Sequence, residues 1–195
     1  MKVVNVNDAR QREACLARLC AEVYGRDAGL VPLASFAGTL GVLVRQDAAR
    51  VLALTDDEGR PAALALLVSD ARGESMELAL LGILPDAPVE NAAERLVAEL
   101  ATRAPLRVNA ADADQEAMFR RAGIQRWLNG SEGLRIGLAP RHPDAGPDTL
   151  PVSLNFDVNA VVQSFRQDRE LFDGYKTRFV RGLEQFPERL FPERL

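Results

Sequence analysis

MELALLGILPDAPVENAAERLVAEL, residues 76–100, decides the fold of this chain, because its periodicity changes halfway along. From Met76 to Leu84 the run is apolar at strand length, with Glu77 its one charge, and a strand covered on both faces is expected. Gly82 interrupts the run near its end, where a glycine marks a bulge or a close backbone approach. After Pro85 the period becomes helical, since Val89, Ala92, Ala93, Leu96, Val97 and Leu100 recur on one face. Pro88 and the acids around it suit a first helical turn, so the helix is expected to open near Pro88.

Upstream, RVLAL (50–54) and PAALALLVSD (61–70) read as strands. The turns DDEGR (56–60) and ARGES (71–75) join them to each other and to 76–84 as antiparallel hairpins. The opening KVVNVN (2–7) reads as a first strand. Asp8 caps a helix carrying Cys15, Leu16, Leu19, Cys20 and Val23, and a second apolar helix runs from about Leu33 to Gln46. Downstream, LRVNA (106–110) is strand-like and residues 112–123 form a short helix with Asp112 as cap and Gly123 past its end. IQRWLN (124–129) and EGLRIGL (132–138) close the sheet as a hairpin around Asn129-Gly130.

The chain is rich in Pro, Gly and Asp from Arg141 to Pro151, and residues 141–156 read as a linker between a domain at 1–140 and a helical extension at 157–195. In that extension Asp157 caps a helix bearing Val158, Val161, Val162, Phe165, Phe172, Tyr175, Phe179, Leu183 and Phe186, interrupted at Asp168 and Arg169. Burying seven such side chains contributes on the order of 10–20 kcal/mol gross at about 1.5–3 kcal/mol each, so the stripe does not stay wet. It covers the domain's own sheet, fills an opening in it, or pairs with a second copy as a homodimer. The chain ends on a tandem FPERL, 186–190 and 191–195, too few copies for a repeat architecture.

The 195 residues are 47% apolar and 27% charged, enough for a real core. Residues 141–195 carry 8 basic and 9 acidic side chains and the rest 16 and 19, so neither part offers a basic footprint for nucleic acid or an anionic membrane. Cys15 and Cys20 lie five apart, which fits neither a metal knuckle nor a disulfide framework. They read as buried thiols in a cytoplasmic protein, and no run is long and apolar enough to span a membrane. His142, the single histidine, lies in the linker, which disfavours a histidine triad or zinc site.

The order β, α, α, β, β, β, α, β, α, β, β over residues 2–139 resembles the GNAT superfamily of acetyl-CoA-dependent N-acyltransferases. Ile83-Leu84-Pro85 before a helix looks like the family's V-x-P, and Asp112–Ile124 is similar to its N-x-x-A-x-x-L-Y-x-K-x-G-F motif. The resemblance implies an α+β fold: a GNAT-like mixed, mostly antiparallel central sheet flanked by helices, here with the helical C-terminal extension. It further implies a splay beside a bulged strand, whose backbone holds the pantetheine of acetyl-CoA or another acyl-CoA, and a helix N-terminus for the pyrophosphate. Ile83, Val89, Glu90, Asn91, Ala92 and Ala93 fall at the cofactor-binding positions, and Glu77 falls where some members keep a catalytic carboxylate, sharing a face with Ala79 and Leu81. The chain departs from the pattern at Pro88, which has no N–H, at Asn91 in place of glycine, and at Phe119 in place of the acid tyrosine. Losing a general acid slows a reaction by about 10²–10⁴-fold. The expectation is acyl transfer to a small-molecule or peptide amine through a degenerate loop, without a metal. The alternative is an inactive GNAT-like binding or assembly module working through its C-terminal helix.

Overall fold

The computed structural model describes residues 1–192. Seven strands form one sheet: β1 (Lys2–Asn5), β2 (Ala49–Thr55), β3 (Pro61–Ser69), β4 (Met76–Ile83), β5 (Leu106–Ala110), β6 (Arg126–Asn129) and β7 (Arg135–Leu138). Their spatial order is β1-β2-β3-β4-β5-β7-β6, and every neighbouring pair is antiparallel except β4 with β5. The strand buried on both faces is β3, where residues 62–68 are all buried, and not β4 as its apolar run suggests. The reason is position: β3 is flanked by a long partner on each side, whereas β4 has a full partner on one side only. The closing hairpin forms, but a short 3₁₀ turn over Ser131–Gly133 joins β6 to β7 in place of a two-residue Asn129-Gly130 turn.

Helices α1 (Ala9–Tyr24) and α2 (Val31–Gly38) lie on one face, with α2 running on into a π-helical stretch at Thr39–Val44. Helices α3 (Ala92–Arg103) and α4 (Ala113–Arg121) cover the other face. Asp8 and Asp112 accept from the backbone N–H of Gln11 and Gln115, at 2.9 and 2.8 Å, and so fix the starts of α1 and α4. The C-terminal run is two helices, α5 (Val158–Gln167) and α6 (Arg169–Glu184). The break falls at Asp168, which leaves helical geometry and caps α6 by accepting from Leu171 N–H at 3.0 Å.

Helices α5 and α6 form an outer layer on α2 and α1 rather than on the sheet. Phe36 meets Phe179 edge to face at 5.3 Å, and Gly182 brings α6 so close to α1 that a Cβ there would stand 3.0 Å from Ala17 Cβ. Helix α1 is therefore covered on both sides, which explains why Cys15 and Cys20 are both fully buried despite their five-residue spacing. Burial pushes both thiols up to about 12. The apolar stripe packs against the chain's own α1 and α2, the in-chain alternative to pairing with a second copy. Beyond α6 the first FPERL copy folds back over the β2–β3 turn: Leu190 is buried and its N–H donates to the Gly59 carbonyl at 2.8 Å. Of the second copy only Phe191 and Pro192 are described, and residues 193–195 lie outside the described residues.

Candidate functional site

The site starts from a defect in β4. Leu66 of β3 faces Leu80 while Leu67 faces Leu78, so Ala79 is the extra residue of a bulge. The bulge is not at Gly82, which pairs regularly with Leu64. Gly82 is there for α1: a Cβ would meet Leu19 Cδ1 at 3.0 Å. One added residue reverses the alternation. Leu80 packs with the α1-side core and Leu81 with the α3-side core. Glu77, opposite Val68, thus faces the α1 side and does not share a face with Leu81.

Past the bulge β4 loses its second neighbour. β5 pairs with it only at Met76–Leu106 and Glu77–Arg107, and then continues with β7 alone. Leu84 N–H donates to the Ala62 carbonyl, so the alternation of antiparallel pairing turns the N–H and C=O of Leu81 and Ile83 away from β3 and into the opening. Backbone groups in the middle of a sheet are ordinarily paired. Ile83 is 55% exposed beside them, a large apolar side chain at the mouth of the opening.

The opening leads at one end to the loop 84–91 and the start of α3. The helix begins at Ala92 rather than near Pro88, which lies in the loop among bends and turns. Asn91 occupies the N-cap position with φ 52° and ψ 39°, left-handed geometry that glycine adopts freely and asparagine tolerates better than most. Its side chain makes no capping hydrogen bond, in contrast to the aspartates that cap α1, α4, α5 and α6. Asp86 is also left-handed, at φ 57°. Ala92 is buried, Ala93 and Val89 are half-buried and Glu90 is exposed. In the first turn of α3 Glu94 pairs with Arg121 of α4 at 2.9 Å. Phe119 is buried in the core beneath α3 and α4.

At the other end stands Glu77, six residues from Ile83 or about 20 Å along the strand at 3.3 Å per residue. Ile83 and the loop residues thus gather at one end of the opening, and Glu77 marks the other. The Asn109 amide of β5 donates to the Glu77 carboxylate. Arg107 Nε donates to Asn109 Oδ1 at 3.3 Å, and Arg107 Nη1 to the Pro151 carbonyl at 3.4 Å. Pro151 belongs to residues 147–155, which cross this face as a strap: Ala71 N–H donates to Val152 O at 2.8 Å and Leu154 N–H to Ser69 O at 3.0 Å. Under the strap is an open cavity of about 450 Å³, walled by Glu77, Arg107, Asn129, Ser131, Ser153 and Asn155 among others.

A bulged β4, a one-sided splay from a parallel β5, and an α3 start at the mouth of that splay complete the arrangement expected from the element order. The fold is GNAT-like. No protein-family model and no curated protein matches the chain. Among solved structures, spermidine N-acetyltransferase from Vibrio cholerae in complex with CoA and spermine is 12% identical, covering 73% of this chain and 98% of its own at a TM-score of 0.46. The catalytic domain of the Tetrahymena GCN5 histone acetyltransferase in complex with coenzyme A is 12% identical, covering 74% and 93% at 0.45. An acetyltransferase assigned to the GNAT family from Desulfovibrio desulfuricans is 16% identical, covering 70% and 95% at 0.46. Likenesses of this size assign no residue of this chain a role. Arg107, Asn109 and the strap carried no motif; the β4–β5 register brings Arg107 and Asn109 beside Glu77, and the strap is held over them by bonds to Ala71, Ser69 and Arg107.

Proposed function

We propose that the opening between β4 and β5 binds an acyl-CoA, and that the chain transfers the acyl group to a small amine held beside Glu77. One observation carries this reading: unpartnered backbone groups of Leu81 and Ile83 inside the sheet join an uncapped helix start to a carboxylate-walled cavity. The N–H groups at the start of α3, with the helix dipole, attract a pyrophosphate, and Arg121 offsets Glu94 there. Leu81 and Ile83 offer an amide-bearing arm the pairing that a strand would otherwise supply.

At the bulge, Glu77 removes a proton from the attacking amine, with Asn109 fixing the carboxylate's direction. The amine nitrogen bonds to the thioester carbonyl carbon and the carbon–sulfur bond breaks. CoA leaves as a thiolate that takes its proton from solvent, since Phe119 carries no hydroxyl. The assembly reading is less well supported, because the stripe it depends on packs against the chain's own core, with Phe165 buried and the rest half-buried.

Calorimetric titration with acetyl-CoA and longer acyl-CoAs tests the proposal, paired with release of the CoA thiol in the presence of amines. Binding is expected, together with a turnover that Glu77→Gln lowers by about 10²–10⁴-fold while acyl-CoA affinity is kept. Absence of acyl-CoA binding at about millimolar ligand removes this reading.

A further inference from the structure

Glu77 and Arg107 are register partners on adjacent parallel strands, so their side chains rise from the same face about 4.8 Å apart at the backbone. Opposite charges so placed normally pair, yet these two form no ion pair. The single Asn109 amide stands between them, donating to the carboxylate through Nδ2 and accepting from the guanidinium through Oδ1. Arg107 uses two of its five N–H donors, both at long distances of 3.3 and 3.4 Å, and the others find no partner among the described residues. Both residues line the cavity under the strap, and every other residue lining it is uncharged.

From this geometry we propose that the cavity takes a zwitterion, a small free amino acid whose ammonium lies on Glu77 and whose carboxylate is gripped by Arg107. The match is one of charge and of spacing. A carboxylate accepts a planar guanidinium fork through two parallel bonds, and the donors of Arg107 are available for it. A long polyamine would bring further positive charge against Arg107 with no second carboxylate to receive it. Ile136, Leu150 and Val152 give the cavity an apolar side for an aliphatic side chain. A volume of about 450 Å³ suits a ligand of that size. The proposal rests on the acyl-transfer reading only for the fate of the amine, and binding can be tested without it.

The test is calorimetry on the full chain with glycine, L-leucine and L-glutamine, each against its carboxamide, and with spermidine. The amino acids are expected to bind at least about tenfold more tightly than their amides, which keep the ammonium and lose the carboxylate. Arg107→Gln should abolish that difference and Arg107→Lys should retain part of it, which separates recognition from support of the strap through Pro151. Equal binding of acid and amide, tighter binding of spermidine, or no binding of any amino acid at about 10 mM overturns the proposal. A parallel acetyl-CoA titration keeps the two readings apart. Acyl-CoA binding without amino-acid binding removes only the zwitterion, and the reverse removes only acyl transfer.

Discussion

Asn91 shows how much one backbone angle can decide. At its position the family pattern has glycine, and the chain still adopts the left-handed turn that a glycine would allow. Asn91→Gly should therefore leave stability within about 1 kcal/mol of the parent and ease approach of a phosphate to the backbone, tightening acyl-CoA binding. Asn91→Val should cost about 1–2 kcal/mol in urea unfolding, because a β-branched residue strains there. Asp70, at the β3–β4 turn, is the other single residue with an outsized role. Burial pushes its carboxyl up, but the Ser75 hydroxyl and the N–H groups of Glu74 and Arg72 outweigh that and hold it below the ordinary range. A depressed carboxyl stabilises the fold above its unfolded value of about 3.9, and the stabilisation is lost as pH falls through the folded value. Asp70→Ala should lower stability at neutral pH by about 1–3 kcal/mol, with the gap from the parent narrowing below about pH 4 in urea titrations.

Among the elements, the helix starts at Asp8, Asp112 and Asp157 were legible in sequence, because an aspartate cap announces each by local chemistry that tertiary packing does not alter; the uncapped start of α3 was not. The bulge was not legible at its true place. Between Leu78 and Leu84 no polar residue marks which face is which, so a one-residue slip leaves no trace in composition, and Gly82 drew the reading to itself for what proved a packing reason. Glu77 was visible as a lone charge, but Asn109, which donates to it, and Arg107, its register neighbour, stand about thirty residues on and depend on the parallel register. The strap was equally hidden, since Pro- and Gly-rich composition says only that a segment is irregular. Just past the strap, the contact of Phe156 with α2 is specific: a Cβ at Gly38 would stand 2.1 Å from Phe156 Cε2. Gly38→Ala should destabilise the chain by about 1–3 kcal/mol in thermal or urea unfolding, and a double variant with Phe156→Leu should recover part of the loss.

For the molecule as a whole, the sheet divides the interior into two cores of different provenance. The core beneath α3 and α4 draws on residues from Leu54 to Ala139, while the core beneath α1 and α2 also needs Phe165 and Leu190. Removing everything after residue 156 should uncover apolar surface on α1 and α2 and lower the thermal midpoint by several degrees or more, with aggregation visible by light scattering. The same asymmetry bears on how the chain is made. As it emerges from the ribosome, the face that carries α3 has all its buried side chains among the described residues once Ala139 is out, about fifty residues before Leu190 completes the other. Until Leu190 arrives to close against Gly59, a nascent chain presents one finished side and one sticky one, and chaperone capture is to be expected at the latter.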